Sequence, residues 1–191
     1  MAGFPLPFGG DDATAFDEYD AFVPEHLPDP GEFLEGHAVL TDADHLAFHR
    51  LTRALFQERG VYDMTFGYNL ARLNLDSRNE NAGVRYAEEA DDPAVLRAEF
   101  TPTTPFCPQT STLTVGAFRA WNGLSHRHEY SIVRVRAGRM HHRSDEINDQ
   151  LRSLEGQYRE SDAIGDSEAA VGQGEPATNY PTSPDDPETP F

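Results

Sequence analysis

The sequence has no lysine, one cysteine, one tryptophan and no long apolar run. A single cysteine excludes an intrachain disulfide framework, so a secreted, stapled fold is not expected. No stretch approaches the roughly 20 apolar residues that a membrane span needs. The first residues carry neither a basic region nor an apolar one, which argues against a signal peptide and makes the cytoplasm the expected compartment. All 15 basic residues are arginine and face 33 acidic ones, for a net charge of −18. Such a field repels nucleic acid and anionic membrane, so neither is an expected partner. Two sources of the acidity stand open: a solvated surface adapted to a salt-rich, halophilic cytoplasm, or acidic disordered ends on an ordinary domain.

The 191 residues suffice for one domain with a core and some excess. Residues 1–40 mix Pro, Gly, Asp and aromatic side chains (Phe4, Phe8, Phe16, Tyr19, Phe22, Phe33) without a period. They read as an acidic, aromatic-containing extended arm, either docked on the core or trailing from it. Residues 41–158 carry the periodic segments of an α/β domain. Residues 159–191 have almost no large apolar side chain and read as a disordered acidic tail.

Within the domain, Thr41 suits the N-cap of a helix that Gly60 ends, with Ala47, Leu51, Ala54 and Leu55 as its apolar stripe. His45 and His49 share a face of that helix. A pair so spaced can ligate a metal, but without an HExxH pattern a solvated or core-edge role is the expectation. Alternation predicts strands at Ala71–Leu75, Val84–Glu88 and Leu96–Phe100, the last two forming a hairpin about Asp91-Asp92-Pro93. Leu113, Ala117, Ala120, Trp121 and Leu124 give one face of a second helix, Tyr130–Arg136 a further strand, and Ser144 to about Leu154 a last helix. The expected fold is an α/β (α+β) two-layer sandwich: a mixed sheet of three to four strands with helices packed on one face.

Cys107 falls between the third strand and the second helix, in Phe100-Thr101-Pro102-Thr103-Thr104-Pro105-Phe106-Cys107-Pro108. With Pro108 at the first helical position, Cys107 would be the N-cap, where free amides and the helix dipole favour thiolate. Hydroxyls of Thr101, Thr103 and Thr104 could bond the sulfur or something it holds. A small buried hydrophobe is the plain alternative. A catalytic thiol would want an oriented histidine. His126, His128, His141 and His142 are the candidates, and none has a distinctive spacing to Cys107.

The segment from Phe100 to Cys107 resembles the Thr-Pro-Thr-x-Pro-x-Cys stretch of the MIP-eighteen family, the SufT-type iron–sulfur assembly and targeting factors. His142-Arg143-Ser144 and Ile147-Asn148-Asp149-Gln150-Leu151 resemble that family's His-x-Ser stretch and Val-Asn-x-Gln-Leu helix. The likeness spans about residues 84–154. It implies a non-enzymatic factor in iron–sulfur protein maturation, with Cys107 as the functional thiol and Thr101, Thr103, Thr104, Pro105, His142 and Ser144 lining the site. It also implies iron–sulfur apoproteins and a P-loop cluster-carrier ATPase as partners. A cluster takes about four ligands, mostly thiolates. No cluster is therefore expected to be held stably by one copy, which leaves Cys107 the role of a transient ligand or of an intersubunit ligand in a homodimer. A thiol enzyme or redox protein, and a salt-adapted interaction domain with a structural cysteine, are the alternatives.

Overall fold

The computed structural model describes residues 15–161. Most of the tail expected from residue 159, and Phe4 and Phe8 of the arm, lie outside the described residues. The elements in chain order are β1 (Ala38–Val39), α1 (Asp42–Arg59), β2 (Tyr62–Asp63), β3 (Tyr68–Asn69), β4 (Gly83–Glu88), β5 (Val95–Thr101), α2 (Thr110–Gly123), β6 (Ile132–Ala137) and α3 (Ser144–Ser161). Four strands form one sheet in the order β1-β4-β5-β6, and β2 and β3 form a separate two-stranded ribbon. β4 and β5 are the expected antiparallel hairpin, while β6 joins β5 in parallel, with Phe100 opposite Ala137. A parallel neighbour needs a long crossover, and α2 supplies it.

Helix α1 ends as expected at Gly60, whose left-handed φ of 68° suits a residue without Cβ and returns its N–H to the Phe56 carbonyl. The strands alternate cleanly. Val84, Tyr86, Leu96, Ala98, Phe100, Val133 and Val135 face the helices and join Phe48, Leu55, Phe56, Phe118 and Trp121 in one core. The indole Nε1–H of Trp121 donates to Thr52 Oγ1 at 3.1 Å, so its burial leaves no orphan donor. Ile147 and Leu151 of α3 enter the same core, and Glu155 meets Arg134 and Arg136. Helix α3 thus runs along β6 and covers what would be an open edge. The result is the expected α+β arrangement, a mixed sheet with helices on its apolar face.

The opposite face is charged and still covered. Arg85, Glu99 and Arg136 are buried there, beneath residues 27–34, and Leu34 has no exposed surface. Glu99 accepts from the Gly31 N–H at 2.7 Å and from the Phe33 N–H at 3.3 Å. A Cβ on Gly31 would collide with that carboxylate, so glycine is what allows the approach. Phe33 in turn lies under the guanidinium groups of Arg97 and Arg136, at 4.7 and 5.0 Å.

Three expectations need correction. Ala71–Leu75 is not a strand: Leu70–Leu75 is a 3₁₀ helix, opened by Asn69 accepting from the Ala71 N–H. The polar position in its alternation, Asn74, is itself buried, taking the Val84 N–H at 2.7 Å and donating to the Val84 carbonyl at 2.8 Å. The sheet's fourth strand is instead β1. The last helix continues past Leu154 to Ser161. His45 and His49 are both buried, the former 2% exposed and the latter 8%. His49 donates from Nε2 to the Ala71 carbonyl and accepts at Nδ1 from the Tyr86 hydroxyl, so neither nitrogen is free for a metal.

Burial holds both rings neutral. It lowers His45 to about 3, helped by neighbouring His49 and Arg85, and His49 to about 4 against the pull of its carbonyl bond. Since the unfolded chain takes up these protons near pH 6.5, stability present above that pH drains as pH falls toward 4 and then 3. His45 Nδ1 has no partner. His45→Phe should therefore flatten the acid limb of the unfolding curve and cost little at pH 7. His49→Phe should lose about 1–3 kcal/mol through the stranded Tyr86 and Ala71 groups; chemical denaturation from pH 4 to 7 separates the two. Glu99→Ala should speed hydrogen exchange at the Gly31 and Phe33 amides while the β4–β6 amides keep their protection.

Candidate functional site

Parallel strands end side by side, so the turn after β5 and the turn after β6 share one end of the sheet. The turn after β5, residues 102–109, is closed by backbone bonds from Cys107 N–H to the Thr104 carbonyl and from Thr110 N–H to the Cys107 carbonyl. Helix α2 starts later than expected. Its N-cap is Gln109, in helical conformation and without a side-chain cap. Cys107 lies two residues ahead of that cap, and the Thr110 amide and hydroxyl both reach its carbonyl, not its sulfur. The expectation that helix amides stabilise a thiolate at the N-cap is therefore corrected. Pro108 precedes the helix and does not open it.

The turn after β6 clamps the same segment. His141 donates from Nε2 to the Cys107 carbonyl at 2.9 Å, and its Nδ1 accepts from the Arg143 N–H at 3.2 Å. His142 sends both its backbone N–H, at 2.9 Å, and its Nδ1–H, at 2.7 Å, to the Pro105 carbonyl. Its ring also meets that of Phe106 with centroids 5.1 Å apart. On the far side, the Gln109 side chain takes the Met64 N–H at 2.9 Å and donates to Thr65 Oγ1 at 2.6 Å, docking the β2–β3 tip beside the turn.

These contacts surround an open cleft of about 220 Å³ lined by Cys107, Phe106, Ser111, His142, Glu146 and Gln150, among others. Cys107 is half-buried, and no hydrogen bond among the described residues engages its sulfur. Among the described residues, exposed Phe106 (71%) lies in this cleft, exposed Met140 (41%) precedes His141 in the turn after β6, and exposed Met64 (80%) gives its N–H to Gln109 at the end of the turn after β5.

Of the residues singled out in the sequence, the structure brings Cys107, His141 and His142 to one cleft, with Pro105 as the carbonyl that anchors His142. Thr101 closes β5 against Gly138, Thr104 gives its carbonyl to the turn, and Thr103 is half-buried outside the cleft lining. Ser144 is buried at the start of α3, its N–H on the His141 carbonyl. His126 and His128 belong to the other end of β6, where His128 Nε2–H donates to the Trp121 carbonyl. The cleft also uses residues that the sequence did not single out for this site: Phe106, Ser111, Glu146 and Gln150. Ser111 and Gln150 join α2 to α3 by a 3.0 Å hydrogen bond, a pairing no local pattern announces.

The chemistry open to this arrangement is limited. Both nitrogens of His141 are committed to the backbone, so it cannot take a proton from Cys107 without releasing the turn. Among the described residues no group of three or more His, Cys, Asp or Glu side chains is disposed to hold a metal ion. No helix among them is long and apolar enough to cross a membrane.

No curated protein and no solved structure matches this chain. One family does match, over residues 14–165, and it is not the MIP-eighteen family. The likeness seen at Phe100–Cys107 and His142–Leu151 is thereby overturned. Its basis was local: a turn punctuated by Thr and Pro before a helix is a conformational solution open to any strand-to-helix crossover. The match covers the docked N-terminal segment, the sheet and all three helices, and the chain belongs to the family described as Domain of unknown function (DUF7998).

Proposed function

We propose that this domain is a non-catalytic interaction factor that presents the Cys107 thiol to a partner protein. The observation carrying the reading is the division of labour in the turn. The hydrogen bonds from the turn after β6 fall on the Pro105 and Cys107 carbonyls, which leaves the sulfur unencumbered in an open cleft beside exposed Phe106 and His142. Met64 and Met140, on loops flanking the turn, add soft apolar surface of the kind that adapts to a partner. Both nitrogens of His141 are committed to the backbone, which removes one of the two histidines of the cleft as a base for the thiol.

One thiol supplies one of the roughly four ligands a metal–sulfur centre takes. Any such centre met at this face is therefore held by the partner and touched by Cys107. The reduced thiol suits a cytoplasmic setting. The acidic field of a chain carrying −18 disfavours nucleic acid and anionic membrane as the partner.

Iodoacetamide at neutral pH tests the accessibility on which this depends. The native chain should alkylate at Cys107 at a rate close to that of the unfolded chain, and Cys107→Ser should leave the free energy of unfolding unchanged to within about 0.5 kcal/mol. Slow native alkylation that accelerates on unfolding, or a marked loss of stability in Cys107→Ser, would assign the cysteine to packing and end the proposal.

A further inference from the structure

A second cleft, beside α1 and sharing no residue with the Cys107 site, has a volume of about 570 Å³, within the range of small-ligand sites. Arg50, Arg53 and Gln57 of α1 face it, together with Arg72 of the 3₁₀ segment, Tyr62 and Tyr68 of the ribbon, and Tyr19 of the N-terminal segment. Three arginines on one cleft are unexpected in a chain with 33 acidic residues and a charge of −18.

Only Arg50 is neutralised, by Asp20. Arg53 lies 3.9 Å over the Tyr19 ring. Arg72 lies 3.9 Å over the Phe16 ring and 5.7 Å from that of Tyr68. Neither Arg53 nor Arg72 meets a carboxylate or hydrogen-bond acceptor through its guanidinium among the described residues. The adjoining acid, Asp76, is spent on Tyr68, Arg78 and Asn79. A ring holds a guanidinium by its face and leaves the N–H edge unspent, in the fork geometry that matches carboxylate and phosphate. Gln57 adds to the donor set: its Oε1 accepts from the Tyr62 hydroxyl at 2.6 Å, which turns the amide nitrogen toward other partners. Tyr62 and Tyr19 supply flat apolar walls, Tyr19 being 48% exposed.

We propose that this cleft binds a small organic anion, a phosphate or carboxylate carried on a flat ring. The two unpaired arginines take the charged group and the tyrosine rings take the flat body.

Calorimetric titration of the full chain at constant ionic strength, with phenyl phosphate, benzoate, inorganic phosphate and phenol, tests this. Phenyl phosphate or benzoate should bind at one site, more tightly than inorganic phosphate, with phenol weakest. Arg53→Gln and Arg72→Gln should each weaken the ring-bearing anion about tenfold, as loss of a charge-assisted hydrogen bond requires. Circular dichroism checks that each variant is folded. If an arginine variant fails to fold, Tyr19→Ala carries the test, because that ring is half in solvent, and it should weaken the ring-bearing anion by a larger factor than inorganic phosphate. Affinity equal in wild type and variants, no binding of either ring-bearing anion at millimolar concentration, or equal affinity for phenyl phosphate and inorganic phosphate would overturn the proposal.

Discussion

The parallel pairing of β5 with β6 is the constraint from which the rest of the molecule follows. An antiparallel third strand could have followed a tight turn. A parallel one forces the chain back across the sheet, and α2 is that return path, carrying Trp121 and Phe118 into the core on its way. The same pairing brings the ends of β5 and β6 together, so the segment with Cys107 and the segment with His141 and His142 have no choice but to meet. Their meeting is then fixed by three bonds onto the Pro105 and Cys107 carbonyls. Open α/β sheets place their sites at such strand ends for this reason, and the cleft here follows that rule with a single parallel pair.

The sheet's charged face shows a second constraint. Arg97, Glu99, Arg134 and Arg136 alternate with apolar residues, and alternation by itself reads as a solvated face. Here the face is covered, because the N-terminal segment offers what those side chains require. Backbone amides at Gly31 and Phe33 satisfy Glu99, the Phe33 ring satisfies the arginines, and Glu155 closes the network from α3. None of this is local in sequence. A stretch of Pro, Gly, Asp and scattered aromatics has no period, and what orders it is a partner some 60 residues away, with Gly31 and Glu99 separated by 68 positions.

The legible parts of the chain were those whose signal is local. The α1 boundaries, the β4–β5 hairpin, the stripe of α2 and the start of α3 each follow from caps, turns and periods within a few residues. The 3₁₀ turn at Leu70–Leu75 was illegible because a period of two assumes that the polar positions face water, whereas Asn74 is buried as a surrogate backbone for Val84. The cysteine turn was half legible. Composition placed it between strand and helix, but the prolines at 102, 105 and 108 delay helical geometry until Gln109, two residues beyond the sulfur. That shift takes the half-buried Cys107 off the N-cap, where the first amides of the helix would have met its side chain. A short motif cannot register the difference, because it records which residues occur and not where the helix begins.

The absence of lysine acquires a structural sense from these contacts. A solvated ammonium would serve equally well for net charge alone. Arginine does more where a cation must sit half-buried, since its planar group stacks on a ring and bonds along its edge at once. Arg97 does both, stacking on Phe33 while pairing with Glu89, and Arg136 stacks on the same ring while pairing with Glu155. Arg53 and Arg72 do only the first. In a chain with more than two carboxylates for every cation, a half-buried guanidinium would ordinarily acquire an acidic neighbour by proximity alone. That two of them on one cleft have aromatic partners instead is the asymmetry that separates this cleft from the rest of the acidic surface. It also sets the sign of what the cleft can hold: the field of the whole molecule repels an anion at long range, so selectivity there must come from contact, through the guanidinium edge and the ring.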